Sequence, residues 1–189
     1  MDTGGGMNEH WQGVAEGLRD DTALLLAVQA EYRRLYERCF RDDPAVNHRL
    51  PVITHAFRRL GRWRVFLLLT PWMLARLLVP DEPPDIEIPA DWRPAARRGA
   101  PYTMIGPAFS LELLTGRQKA HLNYSTAIGH YFLHPLVLAM APFPTPEAVF
   151  GAWNDVIAAR NANLEKMRRQ NPQQEEISRR EFFSGGFRK

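Results

Sequence analysis

A single cysteine, Cys39, stands among the 189 residues. It has no partner for an intrachain disulfide and belongs to no Cys pair that could hold a metal, which fits a reducing compartment. Long hydrophobic runs are also scarce. The longest, residues 65–69 and 77–79, have Pro71 and Arg76 in or near them and fall far short of the roughly 20 apolar residues that span a bilayer. Residues 1–10 are Gly-rich without a hydrophobic core, so no secretory signal is expected there. The expectation is a cytoplasmic protein with no stable membrane insertion. Charge of one sign is not concentrated either. Lys and Arg number 24 and Asp and Glu 21, for a net +3 and a pI near 9.3. The excess lies in scattered doublets: Arg33-Arg34, Arg58-Arg59, Arg97-Arg98, Arg168-Arg169 and Arg179-Arg180. A nucleic-acid binder gathers its basic charge on one element, so solvated faces with a basic tail are the reading here, and no nucleic-acid partner is expected.

The residue patterns of catalysis are missing too. No Gly-rich phosphate loop is present, since Gly4 to Gly6 precede no strand. His130 and His134 are four apart, which on a helix would put two ligands on one face, but Pro135 marks their segment as extended. Ser110 and Ser125 lie in apolar surroundings without a nucleophile elbow. The pairs Asp42-Asp43, Asp81-Glu82 and Glu175-Glu176 sit in breaker-rich or polar sequence and read as caps and solvated charge. These features imply a protein that is no enzyme and needs no cofactor. The alternatives are a small enzyme of unrecognised type or a basic adaptor for membrane or nucleic acid.

What the sequence does contain is a core: 45% of residues are apolar and 11% aromatic, enough for one domain. Residues 1–20 read as a flexible arm because of their glycines. Asp21 or Thr22 can cap a first helix whose apolar stripe is Leu25, Val28, Tyr32, Leu35, Tyr36 and Cys39, with Cys39 expected in the core. Strands follow at 50–60 and 63–69 around a Gly61-Arg62 turn, the second with both faces covered. Thr70-Pro71 looks like a cap and first turn of a short helix over 72–79. Residues 80–101 form a long Pro-rich connection, and such loops are functional or mobile. Extended segments are expected at 102–105, 109–114, 119–126 and 131–140, with a turn at Thr115-Gly116-Arg117. A second long helix starts at Thr145-Pro146, with Glu147 in its first turn, and fades near Arg169. The order predicts an α+β two-layer sandwich, an antiparallel sheet with the N-terminal and C-terminal helices on one face. The expected organisation is an arm over 1–20, one domain over 21–171, and a tail over 172–189.

The tail carries Ser178-Arg179-Arg180-Glu181-Phe182-Phe183, which is similar to the twin-arginine export consensus. That signal acts near an N-terminus, before a hydrophobic stretch, and here neither condition holds. Together with Phe57-Arg58-Arg59, Thr70-Pro71-Trp72-Met73, Val79-Pro80, Gly129-x-Tyr131 and the later Met140 and Phe143, this ending resembles the HybE family of [NiFe]-hydrogenase assembly chaperones. The likeness runs in order over residues 24–187. Where the family often has a Cys-Ser pair, this chain has Leu133-His134-Pro135, and its 101–117 stretch is longer. The resemblance implies a chaperone that binds the hydrogenase small-subunit precursor with its twin-arginine signal, with the large subunit or other maturation proteins as further partners. It implies an apolar groove, for which Trp72, Met73 and Leu77 are candidate rim residues, and partner-binding roles for Arg179, Arg180 and Phe182.

Overall fold

The computed structural model describes residues 10–113 and 116–170, the last three by backbone only. It divides into two units, residues 1–146 and 147–189. The first holds six strands among its described residues: β1 (Ile53–Leu60), β2 (Trp63–Thr70), β3 (Met73–Pro80), β4 (Ala108–Leu113), β5 (Gly116–Ser125) and β6 (Gly129–Val137). They form one antiparallel sheet in the order β1-β2-β3-β6-β5-β4. Two three-stranded meanders thus meet where β3 pairs with β6. With α1 (Asp21–Leu35) packed on the sheet, the fold is α+β. The second unit carries α3 (Pro146–Gln170), with Pro146 at its start and Glu147 in its first turn, as the sequence predicts. No described helix is long and apolar enough to cross a membrane.

Helix α1 is capped by Asp20, whose Oδ1 accepts the Ala23 N–H at 2.8 Å, one residue before the expected cap. Leu24, Val28, Tyr32 and Leu35 are buried. Residues Tyr36–Phe40 then continue as a π-helical turn. The wider turn rotates the chain relative to a 3.6-residue period, so Phe40 takes the inward position and Cys39, expected in the core, is exposed.

The segment 72–79 is a strand, not the expected helix. Pro71 and Trp72 form a tight turn between β2 and β3, in which Thr70 Oγ1 accepts the Met73 N–H at 3.0 Å and donates to the Met73 carbonyl at 3.1 Å. The Thr-Pro pair therefore caps as read, but it caps a hairpin. β3 lies between β2 and β6 and is buried on both faces, so its side chains carry no period-2 alternation to announce a strand. Pro135 is accommodated in β6 beside the register shift between Leu74 and Ala75, where the ladder is already interrupted.

Alternating residues feed two cores. Phe66, Leu68, Ala75, Leu77, Tyr131 and Leu133 meet α1 on one face. On the other, Val65, Leu78, Leu122 and Phe132 are covered by Trp11, Ile88 and Trp92. The long connection thus serves as a lid on the second face, with a short helix α2 (Pro94–Arg97) at its end. Residues 1–9 lie outside the described set. From Trp11 on, the stretch read as an arm is packed: Trp11 joins the second core, and Val14 and Leu18 pack against the first. The chain crosses the end of the sheet over Gly129, where a Cβ would stand 2.5 Å from the Gly13 carbonyl and φ is +92°. Only glycine permits this approach.

Candidate functional site

Where the fourth turn of α1 passes the end of β5, the helix leaves part of the sheet uncovered. The segment 97–103 borders the gap and encloses an open pocket of about 180 Å³. Arg34, Arg38 and Arg97 line it, with Glu31 as its one carboxylate. Arg34 and Arg38 are one helical turn apart, so they share a face. Glu31 is 9% exposed. It is held by the Ser125 hydroxyl, which donates to its Oε1 at 2.8 Å, and by an ion pair with Arg34. Arg97 lies over the Trp92 ring, 4.5 Å from its centroid, and donates to the Pro101 carbonyl at 2.9 Å. Stacking and hydrogen bonding hold its guanidinium in one orientation.

Beneath the pocket lies a buried cluster of phenols. The Tyr32 and Tyr131 hydroxyls are 2.9 Å apart, and Tyr102 faces both Tyr32 and the Trp72 indole. Burial raises all three phenols above their ordinary value, so the cluster is a neutral floor, in which Tyr32 and Tyr131 are hydrogen-bonded to each other and the Tyr102 hydroxyl has no hydrogen-bond partner.

A second polar feature ties the other face together. His130 is fully buried. Its Nδ1 accepts the Gln12 N–H at 2.9 Å, and its Nε2 lies 2.9 Å from the Trp92 carbonyl. A carbonyl only accepts, so the proton sits on Nε2 and the ring is neutral. Both nitrogens are thereby taken, and strand β6, the N-terminal segment and the 81–92 lid meet at one side chain. Burial, partly offset by these backbone bonds, lowers the His130 pKa below 6.5. His134 is lowered in the same direction by burial, then by Arg76 and His121. A depressed imidazole stays neutral in the folded chain while the unfolded chain takes up the proton. The stabilisation is complete above the unfolded value near 6.5 and is lost as pH falls from there through the folded value. Urea midpoints should therefore drop between about pH 7 and about pH 5, and His130→Gln should flatten that limb, leaving the His134 contribution. An unchanged limb would exclude His130 as its source.

The described residues singled out from sequence as partner-binding do not line this pocket. Trp72, Met73 and Leu77 are 7%, 0% and 0% exposed and belong to the α1 core. Arg179, Arg180 and Phe182 lie outside the described residues. The pocket side chains Glu31, Arg34, Arg38, Arg97 and Tyr102 were not among the expected site residues. Their one sequence signal is the long connection itself, which ends at Arg97-Arg98 and Tyr102.

The family model for the [NiFe]-hydrogenase assembly chaperone HybE matches residues 23–185. The solution structure of HybE from Escherichia coli is similar, with a TM-score of 0.41 and 19% identity over 61% of this chain and 63% of that one. The alignment thus spans less than two thirds of that protein. No curated protein matches the chain. The chain belongs to the HybE family of [NiFe]-hydrogenase assembly chaperones.

Proposed function

We propose that this HybE-family chain binds a [NiFe]-hydrogenase small-subunit precursor through its signal region and holds it until its clusters and the large subunit are in place. The observation that carries this reading is the family match over 23–185. A binding role is supported by an open pocket whose polar floor is neutral and whose rim is charged. Retention of a precursor needs no chemical step, only a surface that recognises a segment the mature subunit lacks. Arg179, Arg180 and Phe182 are proposed as contacts from the C-terminal segment. Trp72, Met73 and Leu77 are proposed to contribute from beneath, through the core they share with Leu35 and Tyr131 of the pocket lining.

The test is a direct binding measurement with the full chain immobilised. Small-subunit precursor should be retained and the same subunit without its signal should not. An Arg179→Gln, Arg180→Gln variant should retain less precursor. Equal capture of precursor and mature subunit would remove the signal from the proposal, and capture of neither would overturn it.

A further inference from the structure

We infer that the Arg34–Arg38–Arg97 pocket is a receptor for a carboxylate presented by a peptide segment of the partner. This rests on the reading that the partner is a protein, because carboxylates are the anions an unmodified protein displays.

Three guanidinium groups line this pocket against one carboxylate, and that carboxylate is already engaged by Arg34 and Ser125. Among the described residues, neither Arg38 nor Arg97 forms an ion pair. Arg97 also has a buried Nε without a hydrogen-bond partner. A donor in that state costs free energy unless something accepts from it. Its remaining bonds run to the Pro101 carbonyl and Thr103 Oγ1, neutral acceptors that orient the group without neutralising it. Asn123, 2% exposed, adds an amide whose side-chain bond among the described residues is a long 3.4 Å contact to the His121 carbonyl. The lining is therefore rich in donors and positive, and one member is prepositioned by stacking on Trp92. Guanidinium pairs bind carboxylates through two parallel N–H···O bonds, and partial enclosure strengthens those bonds over their value in water. The volume of about 180 Å³ suits a side chain or a chain end rather than a folded element.

The test uses the full chain and nuclear magnetic resonance titration. The probes are a capped peptide carrying Asp and Glu, a capped neutral peptide of the same length, a peptide with a free C-terminal carboxylate, and inorganic phosphate. The acidic or the free-carboxylate peptide should shift the amides of 97–103 and 123–126 and the Arg Nε–H signals, and the neutral peptide should not. Whichever carboxylate binds more tightly identifies a side chain or a chain end as the source. Arg38→Gln, an exposed change, should weaken binding about tenfold. Arg33→Gln, equal in charge but outside the pocket lining, should leave it within about twofold. No shift with either carboxylate, equal losses in Arg33→Gln and Arg38→Gln, or shifts with phosphate alone would overturn the inference. Precursor capture separates this from the broader reading. Wild-type chain that captures precursor while Arg38→Gln captures it equally well defeats the pocket and leaves the function standing. Wild-type chain that captures no subunit defeats the function, while the peptide titration still decides the pocket.

Discussion

Trp72→Ala should cost about 3–5 kcal/mol of folding stability and lower the thermal midpoint accordingly. The indole is 7% exposed and stacks on Phe40 with ring centroids 4.2 Å apart. Tyr32 and Tyr36 lie nearly parallel to it at 6.2 and 6.5 Å. Removing it opens a cavity bordered by the π-helical turn, α1 and the β2–β3 hairpin, elements whose hydrogen bonding prevents full collapse. It also takes away the indole that faces the Tyr102 hydroxyl, and with it a support of the pocket floor. Trp72→Phe retains most of the ring area and should recover more than half of the loss. A melt of Trp72→Ala within about 1 kcal/mol of wild type would mean that the site relaxes around the gap. Binding data on the alanine variant are informative only at a temperature where it remains folded, because loss of precursor capture through unfolding says nothing about contact.

The difference between Trp72 as core and Trp72 as rim shows how far the sequence could be read. Local signals were dependable where one periodicity ruled. The α1 stripe through Val28, Tyr32 and Leu35, the Gly61-Arg62 turn and the start of α3 all follow from spacing and breakers. Signals failed where tertiary neighbours set the answer. Thr70-Pro71 can open a helix or close a hairpin, and the choice falls to β6, which offers β3 a second hydrogen-bonding edge from about 60 residues away in sequence. Cys39 left the core because five residues wound as a π-helix, a shift that a 3.6-residue period cannot express. The pocket was less legible still. Arg34 and Arg38 look like an ordinary solvated helix face, and Arg97 like one doublet among several. They become a site only when the 97–103 segment is laid beside the end of β5. Glycines also misled: the stretch around Gly13, read as mobile, passes closely over Gly129, whose missing Cβ makes room for it, and Trp11 anchors the crossing.

The same limit applies to Asp81, which reads from sequence as part of a solvated acidic pair and in the fold neutralises a buried cation. Arg64 is 1% exposed and its Nε lies 3.0 Å from Asp81 Oδ1, while its Nη1 donates to the Leu18 carbonyl at 2.8 Å. Arg59 on the edge strand bridges Asp81 and Asp21, at 3.1 and 2.7 Å. The network joins β1, β2, the end of β3, the first turn of α1 and the segment before it. Burial depresses the Arg64 pKa, and Asp81 and Asp21 oppose that shift. Asp81→Ala should therefore destabilise the chain by about 3 kcal/mol, because it takes the paired carboxylate from a guanidinium held away from water and leaves it the Leu18 carbonyl and the field of Asp21. Asp81 is one-third exposed, so water entering at its position keeps the loss toward the lower end for a buried pair. Arg64→Met combined with Asp81→Ala should be less damaging than Asp81→Ala alone, since the double variant leaves no charge to strand and a methionine suits the surrounding apolar face. A double-mutant cycle by urea denaturation should give a coupling of about 1 kcal/mol or more. Additive effects would show that Arg64 finds another counter-charge or reaches solvent when Asp81 is gone, and the network would then be a surface feature rather than the staple that fixes the start of α1 on the sheet.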